Sequence, residues 1–260
     1  MLLNKVYEEY DYLEGELKGV SDEIGVIISE CREAGVPLTT HRIRLWEWPI
    51  LVYAAKQSGN IGNVLDIGIG GSPLLLWFKR NGWNCFGCDI GEINPKFKTY
   101  CEKEGIKFFN SNIFELPFED EHFDYVMSTC VLEHIDKLAI ERRQDFRMSI
   151  VRGLEETLRV LKPGRLSAHT VDFMIQGFNQ NNQFNKTDLK VIADCLKQKA
   201  EVFGGVDYDV LDPFDYYTRE SPVHAHDSER KILINKCLAL KMRLRDAHMR
   251  TCASVVLRKV

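Results

Sequence analysis

Asn63-Val64-Leu65-Asp66-Ile67-Gly68-Ile69-Gly70-Gly71-Ser72-Pro73 decides how the chain folds. Val64, Leu65 and Ile67 make the short apolar run of a parallel strand covered on both faces. Gly68, Gly70 and Gly71 give a turn without Cβ atoms, which a ligand can approach closely. Ser72 suits an N-cap, and Pro73 suits a first helical position that needs no N–H. A helix is expected from there to about Arg80, ended by Asn81-Gly82. A nicotinamide- or flavin-binding turn wants G-x-G-x-x-G. Counted from Gly68, its last glycine falls on Pro73, so that reading fails.

The segments that follow alternate. Asn84 to Ile90 reads as a second strand ending in Asp89, about twenty residues beyond Gly68. In doubly wound folds an acid there accepts hydrogen bonds from a ribose diol, and a carboxylate has the two oxygens for it. A helix is expected over Pro95–Lys103. A third strand begins near Ile106 and runs into a loop carrying Asn112. Phe123 to Cys130 makes a fourth strand, followed at once by Val131-Leu132-Glu133-His134-Ile135. Leu158-Arg159-Val160-Leu161-Lys162-Pro163-Gly164-Arg165-Leu166 ends a helix, turns, and enters a fifth strand, Leu166 to Val171. Strand and helix thus alternate from 61 to 171, which predicts an α/β, doubly wound, mostly parallel sheet with helices on both faces.

Asp66, Gly68 and Gly70 match D-x-G-x-G-x-G, with Ser72 in the last glycine's place. With "ELPFEDEHFDYVMSTCVLEHI" and "LRVLKPGR", this resembles the class I S-adenosylmethionine (SAM)-dependent methyltransferase family, particularly its small-molecule branch. The resemblance covers about 61–172 and a last strand, Ala253 to Lys259. It implies a seven-stranded Rossmann-like sheet, SAM as cofactor, and methyl transfer to an O- or N-nucleophile of a small molecule such as a sugar. Asp66, Gly68 and Gly70 would then line the methionine and ribose side, and Asp89 with Ile90 the ribose end. Asn112 would face the adenine amino group where the branch usually has an acid. Ile113 would flank the ring, and Cys130 and Val131 would lie near the methionine moiety. Arg42 or Trp46, in an aromatic and basic segment before the first strand, would stand at the cofactor or substrate mouth. His134, His169 and Asp172 follow the fourth and fifth strands and are the candidate general bases.

The rest of the chain is read more coarsely. Residues 4–35 carry apolar positions at helical spacing, interrupted by Gly15, Gly19 and Gly25, and predict a packing helix. Residues 1–58 are expected to form an N-terminal helical extension, and 59–260 the cofactor domain, with insertions at about 174–186 and 212–249. A helix is expected over 187–202 and a sixth strand over 208–211. A net charge of −4 and a pI near 6.0 argue against broad nucleic-acid binding. A basic helix near 228–245 leaves a nucleic-acid or protein methyltransferase open, and a non-catalytic binding module is the third possibility. No apolar run approaches the ~20 residues of a membrane span, and Glu8, Glu9, Asp11, Glu14 and Glu16 do not make a signal peptide. Eight scattered cysteines read as buried free thiols of a cytoplasmic protein. Cys85-x-x-Cys88 has no second pair, and His224-x-His226 has no third ligand, so no metal is expected. A small-molecule substrate is the expected partner, with a homodimer left open.

Overall fold

The computed structural model describes residues 4–5, 16–40, 44–135, 143–176, 184–208 and 249–260. The elements in order are β1 (Asn4–Lys5), α1 (Glu16–Glu33), α2 (Arg44–Gln57), β2 (Asn63–Ile67), α3 (Leu74–Arg80), β3 (Asn84–Asp89), α4 (Pro95–Lys103), β4 (Lys107–Asn110), β5 (Phe123–Thr129), α5 (Arg143–Val160), β6 (Leu161–Gln176), α6 (Lys186–Leu196), β7 (Ala200–Val202), β8 (Val206–Asp207) and β9 (Met249–Lys259). Seven strands form one sheet in the order β4-β3-β2-β5-β6-β9-β7. β2 to β6 run parallel, and β9 is antiparallel to both of its neighbours.

Alternation along the strands divides the core into two layers. Val64, Tyr125, Met127, Leu166 and Ala168 face one side and pack with α1, α2, α3 and α4. Leu65, Ile67, Val126, Val171 and Phe173 face the other and pack with α5 and α6. Each of these side chains is at most 2% exposed. The two N-terminal helices therefore share the sheet's own core.

Polar residues of the quoted motifs tie the frame together. Asp124 accepts from the Asn63 amide at 2.9 Å and from Lys162 Nζ at 2.8 Å, with Arg165 at 3.6 Å. Burial alone would raise its carboxyl, but Lys162, the Asn63 amide and Arg165 hold it below the ordinary range. Arg165 also donates to the Ser58 carbonyl at 2.7 Å. The irregular start of β6, Lys162 to Arg165, is thereby tied to the end of α2 and the start of β2. Arg159 donates to the carbonyls of Leu116 and Phe118, and Glu156 accepts from the Leu116 amide. Those bonds set the loop before β5 against α5.

Several boundaries differ from the sequence reading. The N-terminal segment is not one helix from residue 4: Asn4–Lys5 is a strand paired parallel to Val206–Asp207. Pro49 does not start its helix but lies inside α2, leaving one turn without a backbone N–H. The helix expected over 187–202 stops at Leu196, and Ala200–Val202 is instead the sheet's edge strand beside β9. The fifth strand runs on past Val171 to Gln176 because β9 pairs with it along that length. The expected strand over 208–211 falls almost wholly outside the described residues, as do most of the 174–186 insertion and nearly all of the 212–249 insertion, His224 and His226 included. No helix among the described residues is long and apolar enough to cross a membrane.

Candidate active site

The carboxyl ends of β2, β3, β4 and β5 surround a cleft of about 470 Å³. Asp89 and Ile90 come from the end of β3, Asn112 and Ile113 from the loop after β4, and Cys130, Val131 and His134 from the turn after β5. A second chamber of about 140 Å³ lies on the α2 side of the glycine turn, lined by Arg44, Trp48, Asp66, Gly68, Gly70 and Thr129 among others. Gly68, Cys130 and Val131 line both cavities. The expected cofactor residues therefore converge on two adjoining spaces. Arg42 lies outside the described residues.

Backbone and carboxylate build this site jointly. Gly68 has φ +70°, and a Cβ there would stand 2.4 Å from Val131 Cγ2, so only glycine fits. Asp89 accepts from Gly70 N at 2.9 Å through one oxygen and from Gly91 N at 3.0 Å through the other. The acid thus holds the turn in shape, and each oxygen keeps a lone pair for a second donor. Asn112 Oδ1 accepts from Phe114 N at 2.8 Å, closing an Asx turn. Its amide nitrogen, a donor, is then the group left for a ligand, where an accepting oxygen was expected. Ile113 is buried, whereas Ile90 is 71% exposed, an apolar side chain at the rim of the cleft.

The chamber is lined by buried ionisable groups. Asp66 is 1% exposed; burial, with the Asp89 charge adding to it, pushes its carboxyl up to about 8. Arg44 pairs with the fully buried Glu47 at 2.8 Å. Burial works against the guanidinium charge, but Glu47 and Cys130 more than restore it. Cys130 donates to Glu47 Oε1 at 2.7 Å and lies 3.7 Å from Asp172 Oδ1. Its backbone sits at φ +49°, a strained position for a residue with a side chain. Glu133 packs into the same group, and burial together with the Asp172 charge raises it to about 8. Among the described residues, Cys130, Glu133 and Asp172 are the one set whose ligand atoms all lie within 4.8 Å of one another.

The three candidate bases separate. His134 is exposed and lines the larger cleft. Asp172 is half-buried at the Cys130 side, within β6 rather than after it. His169 does not reach either cavity. It is 0% exposed, and its ring nitrogens meet Ser128 Oγ at 2.7 Å and Ser167 Oγ at 2.5 Å. Burial lowers its pKa to about 3. His169 pairs with Val255 of β9 in mid-strand and faces the α5 side of the sheet, away from the smaller chamber. Arg44 and Trp48 were not singled out from the sequence, where Arg42 and Trp46 stood for them. Their i, i+4 spacing places both on one face of α2.

Comparison with known proteins agrees with this geometry. Residues 65–167 match a family model described as a methyltransferase domain. A tRNA (carboxymethyluridine(34)-5-O)-methyltransferase of Arabidopsis thaliana is 30% identical over 132 residues, 49% of this chain and 28% of that protein. The chain thus spans little more than a quarter of the length of this curated relative. Among solved structures, a geranyl diphosphate C-methyltransferase from Streptomyces coelicolor is 14% identical with a TM-score of 0.56, covering 84% of this chain and 81% of that one. The [4+2]-cyclase SpnF is 16% identical with a TM-score of 0.55, covering 93% and 94%. At such identities the structures establish the shared fold. Sheet order, glycine turn and family match converge on one stretch: residues 65–167 are a methyltransferase domain, set in a Rossmann-like sheet.

Proposed function

We propose that the chain transfers a methyl group from SAM to a nucleophilic O or N atom of a small molecule. The observation that carries this reading is the pair of adjoining cavities meeting at Gly68, one apolar with a carboxylate at its edge and one small and charged. An adenosyl group suits the first. Ile90 and Ile113 offer apolar faces to a purine, Asp89 can accept from a diol, and the Asn112 amide can donate to a ring nitrogen. The amino-acid end suits the second, which Arg44 and Asp66 both line. Bound SAM supplies an electrophilic methyl on a sulfonium leaving group. The protein's part is to fix the line of attack, exclude water and accept the acceptor's proton. Asp172 suits the last role: it is half-buried beside Cys130, which borders both cavities, whereas His169 is sealed in the sheet.

The Arabidopsis relative acts on tRNA by its name, which keeps an RNA acceptor as the second reading. The net charge of −4 favours the small molecule, since a duplex or anticodon stem is bound largely through phosphates. Thermal-shift and calorimetric titration with S-adenosylhomocysteine tests the cofactor assignment, and absence of binding overturns it. Methyl transfer from labelled SAM to a panel of small amines and sugars, run beside bulk tRNA at low and high salt, tests the acceptor. Salt-sensitive labelling of tRNA with none of the small molecules would replace the first reading by the second.

A further inference from the structure

Three residues of the smaller chamber each carry a buried polar atom that no protein group satisfies: Trp48 Nε1, Asp66 Oδ2 and Thr129 Oγ1. All three belong to residues lining it. Register explains why they meet. Asp66 pairs with Met127, and Met127 with Ala168, so all three face α2; Thr129, two residues on from Met127, faces the same way. Trp48 descends onto that face from α2. Buried polar groups are rarely left unpaired in a native fold. Here the residues that carry a donor, a carboxyl and a hydroxyl line a space of about 140 Å³ with Arg44 in its wall. That set matches a ligand with both an ammonium and a carboxylate.

The charges around Asp66 decide what such a ligand must do. From β3, Asp89 opposes ionisation of Asp66; from α2, Arg44 favours it. Arg44 is already shared with Glu47. Cys85 and Cys88 of β3 and Tyr125 of β5 also stand near, all raised by burial and so neutral at pH 7. With the chamber empty, the carboxyl, at about 8, keeps its proton at neutral pH. Resting on the cofactor assignment above, we propose that binding the amino-acid end of SAM or its product in this chamber releases one proton, from Asp66. The arriving α-ammonium takes the proton's place beside Asp66 Oδ2, and the proton leaves to the buffer. The ligand's carboxylate meets Arg44 and the Trp48 N–H. Cofactor affinity then rises with pH until the free carboxyl is ionised.

The test is titration calorimetry of the full chain with S-adenosylhomocysteine at pH 7, in buffers of different ionisation heat. About 0.9 proton released per ligand is expected, with Kd falling about ninefold from pH 6 to 7 and about fivefold from pH 7 to 8, by linkage to a group near 8. 5′-Methylthioadenosine, which lacks the amino-acid end, should bind the larger cleft with no such release. Asp66→Asn should bind S-adenosylhomocysteine with no proton release and little pH dependence. Binding of S-adenosylhomocysteine without proton release overturns the proposal and leaves the cofactor assignment intact. An equal release with methylthioadenosine also overturns it, and places the proton's source in the larger cleft. No binding of either compound overturns the cofactor assignment and this proposal with it.

Discussion

Replacing His169 by alanine separates a structural histidine from a catalytic one. The imidazole is fully buried in mid-sheet, held between Ser128 and Ser167. Truncating a ring in a packed core costs about 3–5 kcal/mol, and two hydroxyls that lose their partner add to that. Part of this is recovered if water enters the polar hole, so about 4 kcal/mol is the working figure. For a chain of this size that lowers Tm by about 8–16 °C. The pH dependence carries an independent sign. Burial holds the folded-state pKa near 3, below the ordinary histidine value of 6.5. The folded protein thus refuses a proton that the unfolded chain accepts. The stability this contributes is complete above pH 6.5 and is lost progressively as pH falls toward 3. At pH 5 the loss is about 2 kcal/mol, from one and a half units at ~1.36 kcal/mol each. Asp66 and Glu133, raised to about 8, act in the opposite direction: each costs stability as pH rises from the ordinary carboxylate range through 8. They are common to both proteins, so the wild-type minus variant difference isolates the imidazole. Urea melts at pH 7 and pH 5 should show that difference shrinking by about 2 kcal/mol. Binding of S-adenosylhomocysteine per folded molecule should be unchanged. An alanine variant that keeps its Tm and loses methyl transfer by about a hundredfold or more would put His169 at the reacting atoms and refute this placement.

Asp89→Asn keeps the side chain's shape but turns one oxygen toward a backbone N–H into an NH2 group. One of the bonds to Gly70 and Gly91 is lost, each a charged hydrogen bond of about 1.5–3 kcal/mol, so Kd for S-adenosylhomocysteine should rise at least tenfold; calorimetry at unchanged Kd would discount the turn-holding role. Gly68→Ala places a Cβ against Val131 at φ +70°, costing about 1–2 kcal/mol in backbone strain besides the clash. Adding Val131→Ala should restore part of the lost Tm, and a double variant no better than the single one would show that the contact is not the cause.

The legible part of the fold was the part where local and global demands coincide. Strands β2 and β5 are covered on both faces, so Val64-Leu65 and Tyr125-Val126-Met127 read as unbroken apolar runs. The Gly68–Gly71 turn announces itself because no other residue type tolerates its close approach to Val131. Asp89 was legible by distance from that turn, although its work inside the protein, holding Gly70 and Gly91, was not. Asp124 and Arg165 lie 41 residues apart, and only the parallel pairing of β5 and β6 brings them together. The quoted "LKPGR" looks like a turn signal in the sequence; in the structure it is also half of an ion network.

The misplacement of His169 has a specific physical origin. Polarity in a strand near the ligand end suggests exposure, and Ser167-Ala168-His169-Thr170 is polar enough to mark an end. Two things keep that stretch inside. Ser128 on β5 and Ser167 on β6 give the ring its hydrogen bonds on the α5 side, and β9 extends the pairing to Gln176. Neither can be read from β6 alone. On the α2 face of the same sheet the polar atoms of Asp66 and Thr129 find no such partners. Satisfied polarity on one face and unsatisfied polarity on the other separates a core histidine from a candidate chamber, and under the proposal above that chamber, on the side of Arg44 and Trp48, takes the amino-acid end of the ligand.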